Sequence, residues 1–189
     1  MTGSQPARAV AGYQGESGAF SEQAARRLLG RVLLRGYRTF ADVADALETG
    51  LVTYGVLPFE NSLHGPIREV HDLLAKRARL TIAGETHVRV EQCLIAMPNA
   101  SIETIDAVAS HPVALTQCRT FLREHSQWRV LKSDDTAGAV REMMERGRPR
   151  SAAIGPAAAA ERYGAVVLLR GIADDAENLT RFWLIRIAE

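Results

Sequence analysis

Asn178-Leu179-Thr180-Arg181-Phe182, followed by Trp183-Leu184-Ile185, is the stretch on which the reading of this chain turns. The apolar run predicts a strand entering the core, and the polar group before it predicts a rigid strand end that carries chemistry. A hydroxyl, a fixed cation and an aromatic ring stand side by side there. Such a set can bind a small carboxylate, protonate a leaving group and exclude water. The plainer reading of the same letters is a turn followed by an aromatic strand start.

Working outward, short apolar runs alternate with helix-period segments along the whole chain, which predicts an α/β fold of βα units around mainly parallel sheets. Strands are expected near Ala9–Gly12, Val32–Tyr37, Tyr54–Leu57, Ile82–Val90, Cys93–Met97, Ala107–Ser110, Arg129–Leu131, Ala152–Ile154, Val166–Leu169 and Phe182–Ile187. Between them, Thr39 and Asp42 form a capping box for a helix that buries Val43, Ala44 and Leu47 and stops at Gly50. A further helix starts at Pro112 and buries Leu115, Cys118, Phe121 and Leu122 on one face.

Composition narrows the function. The 189 residues are 47% hydrophobic, enough for one domain or two small lobes. With 23 Lys and Arg against 22 Asp and Glu, the net charge of +1 argues against wholesale binding of nucleic acid or membrane and for a small-molecule ligand. The polar start and the lack of a long apolar run predict a cytoplasmic protein without a membrane span. Cys93 and Cys118 lie far apart and predict buried free thiols.

The chemistry-bearing residues fall where strands end: Gly15 to Ser21, Glu60 to Ser62, Ser110 to His111, and Ser133 to Thr136. Ligands of open α/β sheets bind at such places, anions often at helix N-termini. Gly12, Gly15 and Gly18 do not have the spacing of a dinucleotide fingerprint, and leave either a tight turn needing positive φ or an anion-cradling nest. Asn61 offers a donor and an acceptor and Ser62 a rotatable hydroxyl; as a pair they can hold a carboxylate and a hydroxyl. Ser110-His111-Pro112 reads first as the entry to a helix, with no third group to make a Ser-His-Asp triad. His64 and His71 read as surface histidines, and the run Asp174-Asp175-Ala176-Glu177 as a solvated turn.

Four segments taken together resemble the catalytic region of prephenate dehydratases and the similar arogenate dehydratases. They are Gly12 to Glu22, Gly55 to Gly65, Ser110-His111-Pro112 with Gln117-Cys118, and Thr180-Arg181-Phe182. The resemblance runs from about Val10 to Ile187, with departures at Ala19, His64 and Val70, where relatives usually carry Thr, an acidic residue and Thr. It implies two lobes of the periplasmic-binding-protein type II around a cleft. Lobe 1 would take about residues 1–83 and 168–189, and lobe 2 about 84–167. The chain ends a few residues past its last predicted strand, so no regulatory ACT domain is expected.

The resemblance further implies the decarboxylating dehydration of prephenate to phenylpyruvate in L-phenylalanine biosynthesis, a carbon–oxygen lyase reaction needing no metal or organic cofactor. Thr180 would be the proton donor or the end of a donor relay. Asn61, Ser110 and Gln117 would position the substrate and polarise its hydroxyl. Ser62, Arg181, Phe182, Gly15 and Thr136 would complete the binding site, Arg181 as an electrostatic and structural anchor and Phe182 as an apolar wall. A homodimer or higher homo-oligomer is expected. Alternatives are an arogenate dehydratase or a non-aromatising prephenate decarboxylase on the same scaffold, a non-catalytic ligand sensor, and a structural fragment of a larger complex.

Overall fold

The computed structural model describes residues 9–188. In chain order the elements are β1 (Val10–Gln14), α1 (Phe20–Leu29), β2 (Leu33–Tyr37), α2 (Phe40–Glu48), β3 (Tyr54–Asn61), β4 (Gly65–Pro66), α3 (Arg68–Ala75), β5 (Leu80–Arg89), β6 (Cys93–Ala96), β7 (Ala107–Ser110), α4 (Pro112–Gln117), α5 (Arg119–Glu124), β8 (Arg129–Lys132), α6 (Thr136–Arg146), β9 (Ser151–Gly155), α7 (Ala157–Tyr163), β10 (Val166–Leu169) and β11 (Leu179–Ile187). They form two compact units. Among the described residues the first holds 9–14, Ser21–Val88 and 180–188, and the second holds Gly15–Phe20 and Arg89–Leu179. Residues 15–20 and 168–179, expected in the first lobe, thus group with the second unit, and residues 84–88, expected in the second lobe, group with the first.

The first unit carries a sheet in the order β2-β1-β3-β11-β5, with β4 paired to β3. β1 runs parallel to β2 and β3, whereas β11 runs antiparallel to β3. The capping box at Thr39 forms in both directions, Thr39 Oγ1 accepting from the Asp42 amide at 3.1 Å and Asp42 Oδ2 from the Thr39 amide at 3.0 Å. It starts α2, whose Val43, Ala46 and Leu47 pack with Leu57, Phe59, Val70 and Ile185 in the core.

The strand expected to stop at Leu57 continues through Pro58 to Asn61. Proline removes a ladder donor, so it is tolerated in a strand only at an edge or an irregularity. Here the register against β11 shifts between Arg181 and Phe182, which pair with Glu60 and Pro58 and leave Phe59 as the extra residue of a β-bulge.

The second unit carries a sheet in the order β10-β6-β9-β7-β8. β7 is parallel to β8 and β9, while β6 is antiparallel to β9 and β10. Two apolar clusters lie here, one around Ile95, Val140 and Met143 and the other around Leu94, Val108, Cys118 and Ile154.

The single helix expected from Pro112 is broken at Cys118, whose φ and ψ are −111° and 30°. The Gln117 carbonyl accepts instead from the Asp174 amide at 2.7 Å, and the Asp174 carboxylate caps the new helix by accepting from the Thr120 amide at 2.9 Å. Asp174 is therefore a structural tie within a run that is exposed, as expected from the sequence. The buried face is as expected, with Cys118 wholly buried and Leu115, Phe121 and Leu122 packed around it.

Candidate active site

In the first unit the site residues come from the paired ends of β3 and β11. Asn61 stands opposite Thr180, and its Nδ2 donates to Thr180 Oγ1 at 3.0 Å. Its Oδ1 accepts from the amides of Leu63 and His64 at 3.1 and 3.2 Å, closing the turn that follows β3. Backbone N–H groups require an acceptor, so these two bonds decide which end of the amide is oxygen and hold the nitrogen toward Thr180. Thr180 Oγ1 thus accepts a hydrogen bond and keeps its own hydrogen to give. Asn61 is 8% exposed and Thr180 is half-buried, so the bond between them is partly shielded from water. Ser62 follows in the exposed turn.

Because β11 begins at Leu179, Thr180, Arg181 and Phe182 all lie within the strand and alternate across it. Thr180 and Phe182 share one face, and Arg181 projects to the other with Trp183. The side-by-side triplet expected from the sequence is corrected here: periodicity separates the cation from the hydroxyl.

Arg181 donates to Glu60 Oε2 at 2.6 Å and to Glu85 Oε1 at 3.0 Å, and its guanidinium lies 4.7 Å from the centre of the Phe59 ring. Phe59 in turn stacks on Trp183 at 4.2 Å. Hydrogen bonds that it donates to Glu85 first and Glu60 second raise the Arg181 pKa further above its ordinary value. The anchor is structural: it clamps β11 between β3 and β5. Phe182 is 2% exposed and belongs to the packed interior.

In the second unit the candidate residues gather at the carboxyl ends of the parallel strands β8, β7 and β9. Ser110 is fully buried and its hydroxyl donates to the Ile154 carbonyl at 2.6 Å. Its hydrogen is committed to holding β7 against β9, which leaves its oxygen as an acceptor only. Thr136 opens α6, capped by Asp135 through a 2.6 Å bond from the Gly138 amide. A Cβ on Gly155 would stand 2.8 Å from the Thr136 carbonyl oxygen, so only glycine lets α6 start so close to β9.

Gln117 ends α4, and its Oε1 accepts from Gln92 Nε2 at 3.1 Å. Gln92, buried just ahead of β6, was passed over in the sequence; the only signal was an amide next to the apolar run Cys93–Ala96. Gly15 and Gly18 have φ of +107° and +91°, the positive-φ turn foreseen for this segment. A Cβ on Gly18 would fall 2.6 Å from the Ala159 Cα.

Both thiols are buried and free, and burial pushes Cys118 up to about 12 and Cys93 up as well, which removes both as nucleophiles at neutral pH. Among the described residues no group of three or more His, Cys, Asp and Glu is placed to hold a metal ion, and no helix is long and apolar enough to cross a membrane.

Comparison with known proteins gives the family of the chain. The family profile described as prephenate dehydratase matches residues 11–189. The bifunctional chorismate mutase/prephenate dehydratase of Escherichia coli K12 is 34% identical over 181 residues, covering 94% of this chain and 47% of that protein. Arogenate dehydratase 2 of Petunia hybrida is 39% identical over 173 residues, covering 92% and 43%. Among solved structures, prephenate dehydratase from Arthrobacter aurescens in complex with L-Phe has a TM-score of 0.87 at 25% identity, over 95% of this chain and 61% of that one. GqqA, described as a novel type of quorum quenching acylase, has a TM-score of 0.86 at 33% identity, over 95% and 64%. The chain spans about half the length of the curated relatives it matches. With the profile covering nearly all of its length, this chain belongs to the prephenate dehydratase family.

Proposed function

We propose that the chain catalyses the decarboxylating dehydration of prephenate to phenylpyruvate, as a carbon–oxygen lyase of L-phenylalanine biosynthesis. The observation that carries this reading is the Asn61–Thr180 hydrogen bond, with Asn61 as donor at 3.0 Å. In the reaction the bond from the ring to its carboxylate breaks, the electron pair moves into the ring and the opposite hydroxyl is expelled. The ring becomes aromatic, CO2 departs, and the hydroxyl takes a proton to leave as water.

Thr180 supplies that proton from its Oγ1, and the Asn61 amide stabilises the charge that develops there. Threonine is a poor acid in water, so the proton passes through Thr180 as a relay and is replaced from solvent. No part of this sequence calls for a metal or an organic cofactor.

The other positions take supporting roles in the same proposal. Ser62 and Gln117 hydrogen-bond the substrate, Thr136 and the Gly15 turn offer N–H groups to its carboxylate, and Ser110 sets the strand geometry around them. Arg181 holds β11 and Phe182 backs Thr180. A cytoplasmic location and a homo-oligomeric assembly belong to this reading on the strength of the family.

A second reading, arogenate as substrate, is favoured by the 39% identity to the Petunia hybrida arogenate dehydratase. The two substrates differ only in whether the side chain carries a keto or an amino group, so the ring chemistry is unchanged. Incubating the purified chain with each and following phenylpyruvate and phenylalanine separates them. Phenylpyruvate formed from prephenate is the expected result. Turnover of arogenate alone would establish the second reading, and turnover of neither would overturn both.

A further inference from the structure

Gln92 is 2% exposed and belongs to none of the groups given a role above. Its Nε2 donates to Gln117 Oε1 at 3.1 Å. Its own Oε1 is buried and has no hydrogen-bond partner among the described residues. A buried acceptor left in this state carries a desolvation penalty that an apolar side chain of the same size would not. Fold stability therefore gives no reason for an amide at this position, and the bond to Gln117 is what the amide adds.

The backbone holds both ends of that bond. The Gln92 carbonyl accepts from the Ile172 amide at 3.0 Å, and the Gln117 carbonyl accepts from the Asp174 amide at 2.7 Å. One loop thus ties both residues. Each also adjoins a fully buried cysteine, Cys93 after Gln92 and Cys118 after Gln117. With both main chains fixed, the hydrogen bond from the Gln92 amide holds the Gln117 Oε1 toward Gln92. Asn61 does the same to Thr180, with a buried amide donating into the oxygen of a functional side chain.

We infer that Gln92 is a positioning residue of the reaction, which orients the Gln117 amide so that it meets the substrate as a hydrogen-bond donor. The inference rests on the reading of Gln117 as a substrate-binding group.

The test is a double-mutant cycle of Gln92→Met and Gln117→Met, with thermal unfolding and prephenate kinetics measured on each protein. Met keeps the length and volume of Gln and removes the hydrogen bond. Gln92→Met is expected to lower kcat/KM by about 5–10-fold, the scale of one net hydrogen bond, while Tm is unchanged or raised because the orphan acceptor is gone. In the Gln117→Met background the same change should have no further effect on kcat/KM.

A merely structural residue would lower Tm and act equally in both backgrounds. Full turnover by Gln92→Met beside an impaired Gln117→Met would overturn the inference and leave Gln117 in its role, as would additive losses. An unimpaired Gln117→Met would overturn the reading of Gln117 and the inference with it. If Gln92→Met does not fold, Gln92→Asn keeps the amide but withdraws it by one methylene, and the same loss in kcat/KM is expected.

Discussion

Thr180 and Arg181, neighbours in sequence, act on opposite faces of β11: the hydroxyl meets Asn61 at 3.0 Å, while the guanidinium meets Glu60 at 2.6 Å and Glu85 at 3.0 Å. A strand that turns successive side chains through half a revolution lets two adjacent residues divide the work. In the proposed reaction one would face the chemistry, while the other fixes the strand.

That division makes Arg181→Gln a variant of stability. Two carboxylates and the Phe59 ring lose their cation, so Tm should fall by about 2–4 °C for partly exposed pairs in a domain of this size. At saturating prephenate kcat should stay within about threefold of wild type. A loss of turnover approaching that of Thr180→Ala, with Tm unchanged, would return Arg181 to the substrate.

Asn61→Asp separates the two ends of the Asn61 amide. The aspartate keeps an oxygen for the Leu63 and His64 amides, so the turn after β3 should survive. It cannot donate to Thr180, whose hydroxyl should turn to donate to the carboxylate instead, a charge-assisted bond stronger than the one replaced. We expect a folded protein with kcat reduced about 100-fold or more. Near-normal turnover by this variant would mean that the direction of the Asn61–Thr180 bond is irrelevant to catalysis.

How much of this was legible in the sequence depended on whether local pattern or pairing decided the outcome. The cap at Thr39, the turn glycines and the apolar strands follow from neighbours a few residues apart, and all were readable. The extension of β3 through Pro58, the break at Cys118 and the split between Thr180 and Arg181 depend on partners far along the chain: β11 for β3, Asp174 for α4 and α5, and Glu85 for Arg181. Gln92 was invisible for the same reason, since its meaning lies in Gln117, 25 residues away. Ser110 was read as a polar group at a strand end, but its full burial and its bond to Ile154 could not be read from letters.

The two cysteines supply a pH dependence with a definite sign. Burial holds the Cys118 thiol up to about 12 in the fold, against about 8.5 in an unfolded chain. A raised pKa means that the native state keeps a proton which the unfolded state gives up. The stability from this group is fully present below about pH 8.5 and is lost as pH rises toward 12. A thiol reagent at pH 8 should therefore label neither cysteine in the native protein and both in denaturant. Rapid stoichiometric labelling of native protein would contradict the burial of both.

Gly18→Ala tests the close approach of the Gly15–Phe20 segment to α7. A positive φ and a Cβ placed 2.6 Å from the Ala159 Cα act together, the second against backbone that cannot step aside. The cost should be at least about 1–3 kcal/mol, read as a lowered denaturation midpoint. An unchanged midpoint would mean that Gly18 does not pack on Ala159 as described.

The most direct test of the proposed chemistry is kcat for Thr180→Ala at saturating prephenate, with circular dichroism confirming the fold. The account predicts a fall of about 10²–10⁴-fold with little change in KM, because the hydroxyl acts in the transition state. Thr180→Ser should recover part of the loss, since it restores the hydroxyl without the methyl that restrains χ1. A kcat for Thr180→Ala within threefold of wild type would contradict the account and remove Thr180 as donor or relay.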